Sequence, residues 1–167
     1  WGATFLRLSL EAYAEGNGAE SWRSLLEDEA YRDAVQAIVD YVGTKPGVYI
    51  MVSVWMDPSL DDNGWPTAET AVLWARLTGM FRDDPHVIFG VAHEPRANND
   101  GAKDADCAAA MTQVVDAIRE VERGGGGERH LIAVQGTRAY GRSVHHYIDH
   151  PIAADDGRNI VYEVHLF

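Results

Sequence analysis

Short apolar runs alternate along the chain with longer stretches in which apolar residues recur every three or four positions. The short runs are rich in β-branched and aromatic residues and predict strands, whereas the longer stretches predict helices that bury one face. Residues 48–55, VYIMVSVW, are almost wholly apolar, which is typical of a strand buried on both faces. The predicted strands span residues 3–10, 48–55, 86–91, 130–135 and 159–167.

Three of the stretches between these strands carry a clear helical stripe. The first covers residues 31–42, and the third covers residues 102–121. The second begins after Thr67, which can cap it, and runs to about residue 82. Between the last two strands only a short helix around residues 142–147 is indicated. Because strands and helices alternate, we predict parallel βαβ units and an α/β fold, either a doubly wound open sheet or a (β/α)₈ barrel.

Polar and aromatic residues follow the predicted strands at their carboxyl ends, where parallel α/β folds gather their functional groups. These residues are Arg7, Ser9, Trp55, Asp57, His93, Glu94, Gln135 and His165. Sugar chemistry uses a carboxylic acid to protonate the glycosidic oxygen and flat aromatic rings to stack on pyranose faces. The residues at the carboxyl ends of the predicted strands therefore indicate a carbohydrate-active protein.

Composition and charge limit the classes of partner that the protein is expected to bind. The formal net charge of −12 gives a surface that repels phosphate backbones and anionic lipids, so we expect neither nucleic acid nor a membrane as partner. No phosphate-binding glycine motif follows a strand, and Cys107, the only cysteine, has no zinc-type neighbours, so no cofactor is expected. The chain begins at Trp1 with neither Met nor a charged-then-apolar leader, and we expect a mature or trimmed product.

Three segments together resemble glycoside hydrolase family 5, the cellulase-like (β/α)₈ enzymes. They are ATFLRLSL at residues 3–10, FRDDPHVIFG leading into HEP at residues 81–95, and VYEVHLF at residues 161–167. In that family the middle segment ends in Asn-Glu-Pro, so the resemblance implies that Glu94 is the general acid/base. It also implies that Arg7 is the arginine that contacts a catalytic carboxylate, and that His165 is an active-site histidine.

The resemblance extends to barrel strands two to six, so we expect residues 1–167 to be a single, truncated catalytic domain. The nucleophilic glutamate of the family lies on strand seven and is expected beyond Phe167. We therefore expect the isolated chain to be inactive. The full-length protein is expected to be a secreted, monomeric, retaining hydrolase of a plant-type polysaccharide such as cellulose, β-glucan or mannan.

Five residues are predicted to contact the substrate: His93, Trp55, Trp65, Tyr140 and Phe167. His93 stands where the family has Asn, Phe167 where Tyr is usual, and Trp55 where His is common. Trp65 is included because the preceding Asp-Asp-Asn-Gly predicts a polar, exposed loop.

Other interpretations remain open at this stage. Arg7 could form a structural ion pair with Glu163, and His165 could be a hydrogen-bonded core histidine. Strand alternation puts Glu163 on the same face as His165, about 6–7 Å deeper, which suits pairing with a buried arginine. His146 and His150 have the spacing of helical zinc ligands, which raises a metal-dependent hydrolase. A non-catalytic carbohydrate-binding fragment is the third possibility.

Overall fold

The computed structural model describes residues 2–11, 21–55, 59–126 and 129–166, without the side chains of residues 11, 21–23 and 55. Within these ranges one parallel sheet has five strands in the spatial order β1-β2-β3-β4-β5. The strands are β1 (Phe5–Glu11), β2 (Tyr49–Trp55), β3 (Val87–Gly90), β4 (Leu131–Gln135) and β5 (Ile160–Glu163).

Helices connect the strands. They are α1 (Ser21–Glu27), α2 (Glu29–Gly43), α3 (Ala68–Met80), α4 (Asp104–Gly125) and α5 (His146–Asp149), with 3₁₀ turns at Ala139–Gly141 and Ala154–Gly157. Thr67 caps α3 as predicted, because its hydroxyl accepts from the backbone N–H of Glu69 at 3.1 Å. None of the helices in the described ranges is long and apolar enough to cross a bilayer.

The prediction of five parallel strands with intervening helices is confirmed, and the strand order chooses between the two architectures. A doubly wound sheet reverses its order at a switch point, whereas here each described strand pairs with the next one in sequence. The register is continuous, with Ser9 beside Ser53, Ser53 beside Gly90 and Gly90 beside Ala133. This sequential winding is that of a (β/α)₈ barrel.

The last strand is shorter than predicted. It ends at Glu163 because its neighbour β4 ends at Gln135, where Gly136 donates its N–H to the Glu163 carbonyl at 2.9 Å. Beyond that point His165 donates its backbone N–H to Gly141 in the β4–α5 loop at 3.2 Å. His165 therefore lies on a loop segment, outside the strand ladder.

The two faces of the sheet are buried differently. Alternate strand residues, such as Val52, Phe89 and Ile132, pack with the helices in the main core and are fully buried. The residues between them form a second, small cluster of Met51, Ile88 and Ala133. On this second face large apolar side chains are partly exposed, including Phe5 (49%) and Tyr49 (44%), so it is the face left accessible.

Candidate active site

The carboxyl end of the second face brings together residues from four parts of the chain. The sheet register puts Arg7, Gln135 and Glu163 on that face, since Arg7 pairs with Met51 and Gln135 with Glu163. His93 and Glu94 lie in the loop after β3, and His165 lies just past β5. The sequence predicted Glu94, Arg7 and His165 at this rim, and the structure brings them into one cluster.

His165 bridges two carboxylates. Its Nδ1 lies 2.8 Å from Glu94 Oε1, and its Nε2 lies 2.8 Å from Glu163 Oε1. The three side chains are 16 to 22% exposed, so water reaches the cluster without surrounding it. Because His165 lies past the end of the strand, its ring reaches the Glu163 carboxylate, although the strand spacing predicts that Glu163 lies about 6–7 Å deeper.

Arg7 pairs with Glu163, the ion-pair partner considered from the sequence. Its guanidinium Nη1 also lies 3.4 Å from His93 Nε2, and Nη2 lies 3.2 Å from the sulfur of Met51. Arg7 is thus connected to Glu94 through Glu163 and His165. A half-buried cation in this position stabilises the ionised form of Glu163.

The pKa values in the cluster follow from these contacts. Burial alone would lower the pKa of His165, but hydrogen bonds to Glu163 and Glu94 outweigh it and raise the pKa above its ordinary value. Burial alone would raise the pKa of Glu163, but His165, Arg7 and Gln135 together lower it. The pKa of His93 is lowered by burial and by the charge of Arg7. The geometry therefore favours a proton on His165 and a charge on Glu163.

The backbone of Glu94 adopts an unusual conformation. Its φ is +53°, a region that a non-glycine residue seldom occupies, and the following Pro95 ordinarily favours extended backbone. Neighbouring loops hold it: Glu94 donates its N–H to Gln135 Oε1 at 3.3 Å, and Tyr140 donates its N–H to the Pro95 carbonyl at 2.6 Å. Strain maintained in this way is common at functional sites.

Gln135 is a site residue that the sequence did not single out for a role. It is fully buried, and its amide contacts the Glu94 backbone and lies 3.4 Å from His165 Nε2. Gly141 packs against it so closely, with a φ of +68°, that a side chain at position 141 would collide with the amide. The available signal was its position at the carboxyl end of a predicted strand.

A cavity of about 580 Å³ opens beside the carboxylate of Glu94. Its lining residues are Glu94, Tyr140, Arg142, His165 and Leu166. Tyr140, predicted to contact substrate, is 41% exposed, and the Arg142 guanidinium carbon lies 5.3 Å from its ring centre. An aromatic ring, an apolar side chain and a carboxylic acid around one cavity suit a neutral sugar ring.

None of the other four residues predicted to contact substrate is among the described residues that line this cavity. The expectation that Trp65 is exposed is wrong: the residue is only 7% exposed and belongs to the main core. The Asp61 carboxylate folds the loop inward by accepting the backbone N–H groups of Asn63 and Trp65, each at 2.8 Å. His93 is near the cluster, with its Nε2 4.0 Å from Glu94 Oε1. The Trp55 side chain and Phe167 lie outside the described residues.

The positions of the histidines are relevant to the alternative of a metal-dependent hydrolase. The rings of His146 and His150 lie 4.8 Å apart, centre to centre, but α5 ends at Asp149, before the second of them. Among the described residues, donor atoms of His93, Glu94 and His165 lie within 4.8 Å of one another. A three-residue donor set is thus present at the predicted catalytic carboxylate.

Comparison with known proteins is consistent with this geometry. The family model described as Cellulase (glycosyl hydrolase family 5) matches residues 1–167. Endoglucanase A of Evansella cellulosilytica is 24% identical over 171 aligned residues, which cover 100% of this chain and 30% of that protein.

Solved structures share the fold. Cel5A (EG2) from Hypocrea jecorina superposes with a TM-score of 0.67 at 22% identity, covering 98% of this chain and 50% of that one. A GH5 family lichenase from Caldicellulosiruptor sp. F32 gives a TM-score of 0.62 at 15% identity, covering 99% of this chain and 48% of that one. The chain thus spans about half the length of these structures, and the five strands in its described ranges correspond to part of a (β/α)₈ barrel.

Proposed function

We propose, from the premise that this chain belongs to the cellulases of glycosyl hydrolase family 5, that it carries the acid/base half of a β-glycosidase active site. The observation that carries the proposal is the bridge from Glu94 through His165 to the paired Glu163 and Arg7. The substrate class we propose is a neutral β-linked plant polysaccharide, hydrolysed with retention by the whole, secreted protein.

Glu94 is the proposed proton donor. As the bond between the anomeric carbon and the glycosidic oxygen breaks, its carboxyl proton moves to that oxygen and the carboxylate remains. Its Oε1 faces His165 Nδ1 at 2.8 Å, so the imidazole can hold the carboxyl orientation and exchange a proton with it. In the second half of the reaction the same carboxylate takes a proton from the attacking water.

Arg7 and Glu163 act as positioning residues in this proposal. Glu163 Oε1 accepts from His165 Nε2, which leaves Nδ1 directed at Glu94. Glu163 Oε1 is engaged by both Arg7 and His165, so we assign Glu163 to positioning and not to attack on an anomeric carbon. We therefore propose that the nucleophilic carboxylate is supplied by the whole protein beyond Phe167, and that isolated residues 1–167 do not turn over substrate.

Replacement of the proposed acid tests the role. In the whole protein, Glu94→Gln should reduce kcat on β-glucan by about 10²–10⁴-fold, the usual contribution of a general acid. Hydrolysis of an aryl β-cellobioside with a good leaving group should fall far less, because that leaving oxygen needs little protonation. Glu120→Gln, an exposed carboxylate of α4, is the matched control and should behave like the unmodified protein on both substrates.

The outcome separates the candidate functions. Equal loss on both substrates would contradict an acid role for Glu94, and unchanged activity on β-glucan would remove it from the mechanism. Proton NMR of the first product tests retention, since a retaining enzyme releases the β anomer first. Binding of β-glucan without turnover by the whole protein would instead favour the carbohydrate-binding alternative.

A further inference from the structure

We propose that His93, Glu94 and His165 form a binding site for a borderline divalent cation, best matched by Zn²⁺, and that the bound cation inhibits the glycosidase. The inhibition rests on the proposed function of Glu94, whereas the binding itself does not. Within the described residues these three side chains have donor atoms within 4.8 Å of one another.

The donor set has the chemistry of a zinc site. Two imidazoles and one carboxylate are common ligands of Zn²⁺, and three protein ligands leave a fourth position open. With metal–ligand bonds of about 2.0–2.2 Å, tetrahedral donors stand about 3.3–3.5 Å apart. His165 Nδ1 and Glu94 Oε1 now lie 2.8 Å apart, and His93 Nε2 and Glu94 Oε1 lie 4.0 Å apart. The first pair must open and the second must close by about 0.5–0.7 Å, and the His93–His165 pair, whose donors lie within 4.8 Å, must close by up to about 1.5 Å.

The surroundings of His165 strengthen the inference. A histidine that binds a metal through one ring nitrogen usually donates its other N–H to a carboxylate, which fixes the tautomer and raises the basicity of the ligand. With Nδ1 directed at the site, Nε2 is 2.8 Å from Glu163 Oε1. Glu163 is held in turn by Arg7. This outer carboxylate is in place without the cation.

Charge and access also permit a cation. Among the described residues, two arginines are near the site: Arg7, whose Nη1 lies 3.4 Å from His93 Nε2 and whose guanidinium is paired with Glu163, and Arg142, which lines the same cavity. Glu94 and Glu163 offset the charges of Arg7 and of a protonated His165, and the cation takes the place of the proton on His165. The cavity of about 580 Å³ borders Glu94 and His165, so it offers both an entry path and room for a water in the fourth position.

A cation at this position would disable the acid. Metal ligands must be deprotonated, so a cation on Glu94 displaces the proton that the glycosidic oxygen requires. The same competition makes binding weaken as the pH falls. His93 is the residue that creates the site, since an asparagine at position 93 would leave only Glu94 and His165.

Calorimetric titration of the whole protein with ZnCl₂ tests the binding. We expect one Zn²⁺ per chain at this site, and a loss of affinity of at least about 100-fold in His93→Asn. Glu163→Gln, which keeps all three ligands, should weaken binding by about 10–100-fold. His150→Asn, the same exchange at an exposed histidine outside the site, is the matched control and should bind as before. Undiminished binding by His93→Asn, or loss of binding by His150→Asn, would overturn the proposal.

Two further measurements remove dependence on variant folding. Histidine-ring ¹⁵N NMR of the unmodified protein should show Zn²⁺ shifting His165 Nδ1 and His93 Nε2 while the buried His130 ring is unaffected; shifts at His146 and His150 instead would contradict the site. In activity assays, ZnCl₂ should inhibit β-glucan hydrolysis and a chelator should restore it. A protein that binds Zn²⁺ but never hydrolyses glycan refutes the proposed function alone. An active protein without Zn²⁺ binding refutes this inference alone.

Discussion

Arginine, glutamate and histidine meet at both ends of the sheet, with different results. At the carboxyl end, Arg7, Glu163 and His165 are joined by Glu94. At the amino end, Arg119 and Glu122 of α4 meet His130, which directly precedes β4. The side chains of the second group are at most 3% exposed, whereas those of the first are 16 to 22% exposed.

The amino-end cluster joins secondary-structure elements. Arg119 donates to Glu122 at 2.5 Å and to the backbone carbonyls of His130 and Arg158, at 3.1 and 2.9 Å. Both ring nitrogens of His130 face acceptors, Glu122 Oε1 and the carbonyl of Phe81, each at 3.0 Å. The cluster therefore links α3 and α4 with the segments that enter β4 and β5.

The comparison shows that residue types alone do not specify a role. Removing one member of a buried, well-paired cluster destabilises the fold because it leaves an uncompensated charge. A partly exposed cluster in which one carboxylate borders a cavity can act on a substrate. Each of the following changes tests that difference.

The largest expected effect is a loss of stability when the cluster at the amino end of the sheet is changed. Glu122→Ala leaves Arg119 buried without its carboxylate, and should lower the free energy of unfolding of the whole protein by about 3–5 kcal/mol. Urea unfolding measures the change, with Glu120→Ala on the exposed side of the same helix expected within about 0.5 kcal/mol of the unmodified protein. A loss below about 1 kcal/mol for Glu122→Ala would contradict a structural role for the cluster.

At the carboxyl end, Arg7→Met should affect activity more than stability. We expect kcat on β-glucan to fall about 10²-fold because Glu163 and His165 lose their positions, with about 1 kcal/mol or less of stability lost. Arg7 lowers the pKa of Glu163, so the acid limb of the pH–rate profile should move to higher pH. Arg123→Met, an exposed α4 control, should change neither quantity. An unshifted acid limb would indicate a purely structural arginine.

Tyr140 tests the cavity beside Glu94 at the carboxyl end of the sheet. Tyr140→Ala removes the ring beside Glu94 and should raise KM for β-glucan about fivefold, equivalent to about 1 kcal/mol of stacking, with little change in kcat. Tyr41→Ala removes a ring that is 64% exposed on α2, and serves as the control. If both variants have the same KM, the ring of Tyr140 does not contact substrate.

The smallest expected effect is on the pH dependence of stability. Since folding raises the pKa of His165, the contribution of His165 to stability is complete below about pH 6.5 and is lost as the pH rises through the folded-state pKa. Folding lowers the pKa of Glu163 and of Glu122. Their contribution to stability is therefore present above about pH 4.5 and is lost as the pH falls through the folded pKa values.

Unfolding of the unmodified protein and of His165→Gln at pH 5, 6 and 8 measures this contribution. We expect the stability difference between them to shrink by about 1 kcal/mol or less between pH 6 and pH 8. A difference that grows toward pH 8 would reverse the sign and contradict the assigned contacts.

Much of the fold was predictable from the sequence because burial leaves a local pattern. The stripe of α2 and the apolar run of β2 each have a period that the backbone imposes, so both elements lie where they were predicted. Helix α1 was not predicted, and Trp65 was expected in an exposed loop. The Asp61 side chain reverses that expectation through two backbone contacts that no period records.

The sequence by itself determined the alternation of strands and helices, the parallel pairing that follows from it, and the placement of Glu94 after a strand. Only the tertiary structure decided the sequential strand order, the positive φ of Glu94 and the bridge through His165. The physical reason is distance along the chain. Glu94 and His165 are 71 residues apart, and Arg7 and Glu163 are 156 apart, so their contacts depend on sheet register and loop packing.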